Sequence, residues 1–191
     1  MCGHAGIIVF NRNAHPVDRE ELGRIGDYMD SRGPDAKGDW YSFNGCMGLT
    51  HRRLSIIDLD VTANQPMNDP GLGITIVFNG EIYNYRELRR ELISLGCEFR
   101  THSDTEVLLQ AYAYWGPDTL NRLRGMYSFA IWDERNQSLF LARDPYGIKP
   151  LYYACDGKTL RFASQVKALL AGGAVSKAPC PAGVTGFLMM G

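Results

Sequence analysis

Hydrophobic residues along the chain follow two periods. Short apolar runs bounded by Gly, Pro, Asn or Asp predict strands, and apolar residues three and four positions apart predict helices. The predicted strands are residues 6–10, 40–43, 46–50, 74–78, 126–133, 138–143, 151–154 and 160–163. The predicted helices are residues 18–30, 84–96, 103–115 and 165–171.

Residues at the ends of these segments refine the prediction. Asn84 is expected to cap the second helix, and Ser103 with Glu106 forms a capping box at the start of the third. The strand 74–78 is predicted to end on Asn79 and Gly80, a pair that ordinarily forms a tight type I′ turn.

The order and character of the segments predict an α+β fold. Residues 126–133 are apolar on both faces, which suits a sheet buried on both sides. Strands and helices occur in blocks, and the closely spaced late strands favour antiparallel hairpins. We therefore expect packed antiparallel sheets covered by helices. A length of 191 residues suits one domain, assigned to residues 1–171, and residues 172–191, which Gly and Pro interrupt, are expected to be a linker.

Composition narrows the class of protein. The formal net charge is -1 and basic residues form pairs, not stripes, which argues against nucleic acid and anionic membranes as partners. The five cysteines form no CxxC motif, which argues against a disulfide framework or a zinc ribbon and fits a reducing cytoplasm. No apolar run approaches the roughly 20 residues of a membrane span.

The second residue, Cys2, carries the most specific chemistry. Removal of Met1 would leave a thiol and a free α-amine on one residue. Such an amine titrates near pH ~8 and can take the proton of the thiol, so that the nucleophile needs no separate histidine. If Met1 is retained, the Cys2 nitrogen is an amide and cannot act as a base. A cysteine at position 2 by chance is the alternative interpretation.

Eight short motifs span almost the whole chain. They are MCGHAGI at 1–7, RGPD at 32–35, HRRLSIIDL at 51–59, QPM at 65–67, NGEIYNY at 79–85, SDTEV at 103–107, GMYSFAIWD at 125–133 and ARDPYGIKPLYY at 142–153. In this order they resemble the glutaminase domain of glutamine-hydrolysing asparagine synthetases. That domain is a class II glutamine amidotransferase of the N-terminal nucleophile hydrolase superfamily, so the resemblance implies an αββα sandwich of two antiparallel sheets.

The resemblance implies a reaction and its catalytic residues. Cys2 resembles the nucleophile that attacks the carboxamide of L-glutamine, which gives a thioester and ammonia before water releases glutamate. Asn79 resembles the side-chain donor, and Gly80 the backbone N–H donor, that stabilise the oxyanion. Such a donor lowers the barrier by roughly 3–4 kcal/mol. An ordinary Asn-Gly turn is the alternative for this pair.

The resemblance also implies how the substrate is held. Arg53 resembles the residue that binds the α-carboxylate with its planar fork, whereas Arg52 is expected to be a solvated charge. Asp104 resembles the carboxylate that binds the α-ammonium group, and the helix dipole is expected to keep it ionised. The alternative is an ordinary aspartate at a helix start. Glu81 is expected to add a polar contact, with a surface role as the alternative.

His4 departs from the family, which usually has an apolar residue there. Positions 2 and 4 share one face of a strand, so His4 is expected near Cys2. Three interpretations stay open: a histidine satisfied by hydrogen bonds at the sheet edge, a residue that tunes the Cys2 thiol, and part of an amine-x-His copper or nickel site. RGPD and residues 144–150 are interpreted as structural.

The sequence lacks the SGGxDS pyrophosphate loop of the synthetase half. The resemblance therefore implies L-glutamine as substrate, no cofactor or metal in this domain, and ATP and Mg only in a C-terminal synthetase domain that is the expected partner. A homodimer is a further form of assembly that we consider. Two other functions stay open: a catalytically silent regulatory or binding module of the same fold, and a different N-terminal nucleophile hydrolase such as an acylase.

Overall fold

The structure, a computed structural model, describes residues 2–10, 15–55 and 61–190. Within these ranges the chain forms nine strands and five α-helices. The strands are β1 (Gly3–Val9), β2 (Ala36–Tyr41), β3 (Met47–Arg53), β4 (Met67–Asp69), β5 (Ile74–Ile82), β6 (Gly125–Asp133), β7 (Ser138–Arg143), β8 (Tyr152–Cys155) and β9 (Thr159–Ala163). The helices are α1 (Arg19–Tyr28), α2 (Tyr85–Ser94), α3 (Asp104–Trp115), α4 (Val166–Gly172) and α5 (Pro181–Met190).

The strands form two antiparallel sheets that pack face to face. One has the order β2-β3-β1-β9-β8 and the other β4-β5-β6-β7. Helices α1 and α4 cover the first sheet, and α2 and α3 cover the second. A third apolar cluster, which includes Met47, Leu49, Val77 and Trp132, fills the space between the sheets. The prediction of two antiparallel sheets covered by helices is therefore confirmed.

Strand β5 differs from the prediction. It continues through Asn79 and Gly80 to Ile82, so this pair neither ends the strand nor forms a turn. The backbone stays extended because β6 pairs with it over its whole length, with Asn79 opposite Ser128 and Gly80 opposite Tyr127. The short strand β4 was not predicted.

Two helix starts differ in detail from their predicted caps. Asn84 precedes α2, but its amide bonds the main chain of a distant segment: Nδ2 donates to Arg122 O at 2.9 Å and Oδ1 accepts from Arg124 N at 2.9 Å. Ser103 Oγ accepts from Glu106 N at 3.2 Å, which is half of the expected box. The Glu106 carboxylate instead accepts from the N–H of Thr101 at 2.6 Å. For Asn84 a distant segment thus replaces the local partner, whereas Glu106 binds the backbone just before the predicted box.

The predicted linker contains a helix. Helix α4 ends at Gly172, where Gly173 has a φ of 91°, and α5 follows with every residue exposed, including the apolar Phe187 and Leu188. The boundary between domain and linker stays a prediction. None of the helices in the described part of the chain is long and apolar enough to cross a membrane.

Candidate active site

The inner faces of the two sheets carry the residues of the site. Side chains alternate along a strand, so residues two apart share a face. Met47 and Leu49 of β3 and Val77 of β5 belong to the cluster between the sheets. Arg53 and Asn79 continue these same faces toward one end of the sandwich, where Cys2 immediately precedes the central strand β1.

At this end of the sandwich lies a cavity of about 100 Å³. All six residues predicted for the site line it, namely Cys2, Arg53, Asn79, Gly80, Glu81 and Asp104. Eight further residues complete the lining: Leu54, Ala63, Gln65, Phe78, Ser103, Thr105, Met126 and Lys149. The volume is well below the roughly 300–1,000 Å³ of sites for drug-sized ligands, so the cavity suits a molecule of amino-acid size.

The Cys2 side chain is held at the cavity wall by the backbone that follows β3. Leu54 N–H donates to Cys2 Sγ at 3.3 Å, and Sγ lies 3.5 Å from Leu54 O. On the other side, Arg32 Nε donates to the Cys2 carbonyl at 2.9 Å. The residues around Arg32 were interpreted as structural, and this contact shows that they fix the position of Cys2. Met1 lies outside the described residues.

Asn79 presents an unused donor to this cavity. Its side chain is only 2 % exposed, and its Nδ2 has no hydrogen-bond partner among the described residues. Leaving a buried donor unpaired costs roughly 1–3 kcal/mol, so such groups occur where a ligand completes the bond. The amide is therefore placed to donate to an atom bound in the cavity.

Gly80 presents its backbone at the edge of β5 that faces away from β6. In an antiparallel pair, successive residues direct their N–H and C=O to opposite edges. Tyr127 lies opposite Gly80. Its N–H donates to Asp144 Oδ2 at 3.3 Å and its C=O accepts from Asp144 N at 2.8 Å, so both backbone groups of Tyr127 point away from β5. Gly80 consequently forms a pair without mutual hydrogen bonds, and its N–H points to the open edge beside the cavity.

Sterics, not a special backbone angle, require glycine at position 80. A Cβ there would lie 2.3 Å from Met126 O and 2.8 Å from Tyr127 Cα. Both are backbone atoms of the neighbouring strand and cannot move aside cheaply. Strand β6 therefore occupies the space that a side chain would need.

The two adjacent arginines of β3 point to opposite faces of its sheet. Arg53 is buried at the cavity, where its Nη1 donates to Asn64 Oδ1 at 2.6 Å. Arg52 points toward α1, donates from Nε to Gly26 O at 2.9 Å, and pairs with Asp27. The prediction that Arg52 is a solvated charge is wrong: it is 7 % exposed because it closes the C-terminal end of α1.

Asp104 is the first residue of α3 and is almost fully buried. Burial raises the pKa of its carboxyl from 3.8 to about 6, and nearby Glu81, which is exposed, adds to the rise. Hydrogen bonds from the N–H groups of Ile82, Asp104 itself and Thr105 act in the opposite direction. The N–H groups at the helix start favour the ionised form, as expected, but burial has the larger effect on the pKa, so the carboxyl is ionised only above about pH 6.

His4 lies in the central strand of its sheet, not at an edge. Its Nδ1 and Nε2 are 2.9 and 3.1 Å from the hydroxyls of Ser164 and Ser128. Burial, with His51 and Arg32 nearby, lowers the His4 pKa to about 3. A neutral, hydrogen-bonded ring supplies no positive charge to a thiolate, which favours the structural interpretation over the other two.

Pattern reasoning missed several lining residues. Gln65 and Lys149 stand in two of the motifs, QPM and ARDPYGIKPLYY, but no chemistry had been assigned to them. The loop 144–150, interpreted as structural, is organised by Asp144, which accepts backbone N–H bonds from Tyr146, Ile148 and Lys149. Across the described ranges, no group of three His, Cys, Asp or Glu side chains could hold a metal ion.

Two solved structures share this fold. The chain superposes on glutamine phosphoribosylpyrophosphate amidotransferase from B. subtilis with a TM-score of 0.75 at 22% identity, covering 90% of this chain and 44% of that one. A structure described as the allosteric regulatory enzyme of purine biosynthesis gives a TM-score of 0.73. At this level of identity the likeness shows the fold alone, and it confirms the predicted sandwich of two antiparallel sheets covered by helices.

Sequence comparison identifies the family. A family model described as "Glutamine amidotransferase domain" matches residues 1–191, so the chain belongs to this family. It is 44% identical over 173 residues to asparagine synthetase [glutamine-hydrolyzing] 1 of Bacillus subtilis and covers 27% of that protein. It is 43% identical over 171 residues to amidase chry2 of Gibberella zeae and covers 25% of that protein. The matches include 89% and 90% of this chain, respectively, but the chain spans only about a quarter of the length of these relatives.

Proposed function

We propose that this domain hydrolyses L-glutamine to glutamate and ammonia through a thioester on Cys2. The observation that carries the proposal is the meeting of Cys2 Sγ and the unpaired Asn79 amide in one small cavity that Arg53 and Asp104 also line. The cysteine supplies a nucleophile, the amide supplies an oxyanion donor, and the two charged residues match the two ends of an α-amino acid. Membership of the glutamine amidotransferase family supports the choice of substrate.

The nucleophile would be activated by its own residue. Removal of Met1 frees the Cys2 α-amine, which takes the thiol proton as Sγ attacks the carboxamide carbon. The same ammonium then gives that proton to the departing nitrogen, which leaves as ammonia. Water, deprotonated by the amine, attacks the thioester and releases glutamate. The Leu54 N–H and the Arg32 contact to the Cys2 carbonyl hold the residue during both steps.

Each attack places a negative charge on the former carbonyl oxygen. Asn79 Nδ2 and the Gly80 N–H approach the cavity from one strand, so they form a rigid pair of donors. Because β5 and β6 fix them before the substrate arrives, they need no reorganisation in the transition state. The unpaired state of the Asn79 amide is the expected cost of that preorganisation.

The two arginines provide a test of substrate binding. We expect Arg53→Lys to raise the KM for glutamine roughly tenfold or more, because Lys keeps the charge but loses the planar fork for the α-carboxylate. The measurement is steady-state glutamate release at varied glutamine. Arg52→Lys is the matched control, expected to lower the melting temperature, since it breaks contacts to Gly26 and Asp27, and to leave KM unchanged. An equal rise in KM for both variants would place the carboxylate site elsewhere.

Asp104 makes glutamine binding depend on pH. The α-ammonium group binds the ionised carboxylate, and the pKa of Asp104 is raised to about 6. We expect the Kd for glutamine, measured by calorimetry on Cys2→Ala, to be flat at neutral pH and to rise about tenfold per pH unit below the pKa. Glu81→Gln should move the midpoint to lower pH, because Glu81 contributes to the raised value. A pH-independent Kd would remove Asp104 from the ammonium site.

The same shift affects stability, with a defined sign. The folded protein holds the Asp104 proton more tightly than the unfolded chain does. This tighter proton binding stabilises the folded protein. The stabilisation is complete below pH 3.8 and is lost as the pH rises through about 6. This part of the pH dependence should vanish in Asp104→Asn.

The full-length context completes the proposal. The relatives are several times longer, and we propose that ammonia passes to an ATP-dependent synthetase domain, with residues 172–191 as the linker and ATP and Mg bound only there. The five free cysteines suit a reducing cytoplasm. Whether two copies form a homodimer stays a prediction.

The test of the whole proposal is direct. Purified protein with Met1 removed, verified by intact mass, should release glutamate and ammonia in equal amounts from L-glutamine. A protein with the same N-terminus that releases neither would instead support the silent binding module of the same fold.

A further inference from the structure

The open edge of β5 is held by side chains in place of a neighbouring strand. Strand β4 pairs with β5 only as far as Met67 opposite Ile76. Beyond that point, Phe78, Gly80 and Ile82 direct their backbone groups to this edge. Phe78 N donates to Gln65 Oε1 at 2.6 Å, and Ile82 N donates to Asp104 Oδ2 at 3.1 Å. Gly80 lies between these two fixed positions.

His51 completes this edge from the other sheet. It lies on β3 and is fully buried, and its Nε2 is 3.0 Å from Phe78 O across the space between the sheets. A carbonyl oxygen only accepts, so Nε2 carries the proton and donates. His51 Nδ1 is then left as an acceptor, and it has no partner among the residues that the structure describes. The ring therefore makes a single bond, and that bond is to the backbone of β5.

That bond acts on the peptide directly before the proposed oxyanion donors. The Phe78 carbonyl belongs to the same planar unit as the Asn79 N–H and Cα, so holding the carbonyl fixes the point from which the Asn79 side chain and the next peptide, with the Gly80 N–H, extend. Gln65 fixes the N–H side of Phe78 and is itself anchored by Nε2 to Thr105 Oγ1 at 3.2 Å. The His51 hydrogen bond ties this point of β5 to the sheet that contains β1 and β3.

The ring stays neutral under ordinary conditions. Burial lowers the His51 pKa to about 4, with Arg53 contributing in the same direction, although the bond to Phe78 O opposes the shift. Arg53 on the same strand disfavours a second proton by its charge, and His4, which lies opposite on β1, is neutral and adds no charge. A neutral donor whose one hydrogen bond is to the backbone of β5 suits a role in geometry, not in proton transfer.

We propose that His51 is a positioning residue for the oxyanion site, which it holds by its hydrogen bond to the Phe78 carbonyl. The inference rests on the proposed glutamine hydrolysis. His51 is the first residue of the motif HRRLSIIDL, in which Arg53 is the residue already assigned to substrate binding. His51 itself does not line the cavity, so it acts through Asn79 and Gly80.

Three variants test the role of the hydrogen bond. His51→Leu removes the donor, and we expect kcat for glutamine hydrolysis to fall roughly ten- to hundredfold with KM nearly unchanged, because small misplacements of a catalytic group have effects of this size. His51→Gln keeps an N–H donor at a comparable reach and should recover most of kcat. Thr75→Val, which removes a buried hydroxyl from the far end of β5, is the control and should leave kcat unchanged.

A second measurement does not depend on activity. The amide resonances of Asn79 and Gly80, and their exchange rates with solvent, should change in His51→Leu, return toward the wild-type values in His51→Gln and stay constant in Thr75→Val. The positioning role is wrong if those amides are unaffected in His51→Leu, or if Leu and Gln variants lose activity equally. An inactive wild-type protein whose amides still respond as expected would refute the proposed function while leaving the structural role of His51 intact.

Discussion

Replacing Cys2 by alanine is expected to reduce glutamine hydrolysis by a thousandfold or more, to the level of the background. Loss of a nucleophile removes the covalent route altogether, and in other covalent hydrolases this costs roughly 10⁶ in kcat. The fold should persist, because Cys2 contributes only a partly buried thiol whose hydrogen bonds, within the described part of the chain, are to the backbone of Leu54. The measurement is glutamate release by purified protein, with the melting temperature recorded in parallel.

Cys46→Ala is the matched control for this substitution. Cys46 is also partly buried and its Sγ also lies near polar atoms, 3.8 Å from both Ser42 Oγ and Gln137 Oε1, but it is not among the cavity residues. Its removal should leave turnover unchanged. If Cys2→Ala retained activity within about tenfold of wild type, another group would have to be the nucleophile and the mechanism would be wrong.

The fold could be predicted further from the sequence than the site could. Periodicity and turn residues located most of the strands and the four main helices, because each of these elements buries a face that its own residues define. The site residues came from the resemblance to a family. The pattern alone favoured a turn at Asn79 and Gly80, and the strand continues there because β6, Gln65 and His51 supply hydrogen bonds from distant parts of the chain.

The wrong predictions have a common physical cause. Asn84 was assigned to a local cap, but distant backbone groups offered its side chain better partners. Arg52 was assigned to solvent, although alternation along β3 required only that it face away from Arg53, and α1 covers that face. Asp104 was judged by the nearby helix start, whereas its pKa is set mainly by burial. In each case the tertiary environment outweighed a correct local tendency.

Asn79→Ala should lower kcat roughly a hundredfold or more without lowering the stability of the protein in proportion. The loss in kcat follows from removing one of two oxyanion donors, which stabilises the transition state by roughly 3–4 kcal/mol. Stability should change little, because the Nδ2 that is lost has no hydrogen-bond partner in the described structure. Turnover and urea unfolding of the same preparations measure the two effects.

Asn68→Ala on β4 is the control for this separation of activity from stability, and it should behave in the opposite way. Asn68 Nδ2 donates to Thr75 Oγ1 at 2.6 Å, away from the cavity, so its loss should cost about 1 kcal/mol of unfolding free energy and leave kcat intact. The interpretation of Asn79 as a strand residue with only a structural role predicts the reverse for Asn79→Ala, namely a less stable protein that keeps its turnover. That result would leave Gly80 as the sole proposed donor from β5 and would require the oxyanion to be stabilised from another wall of the cavity.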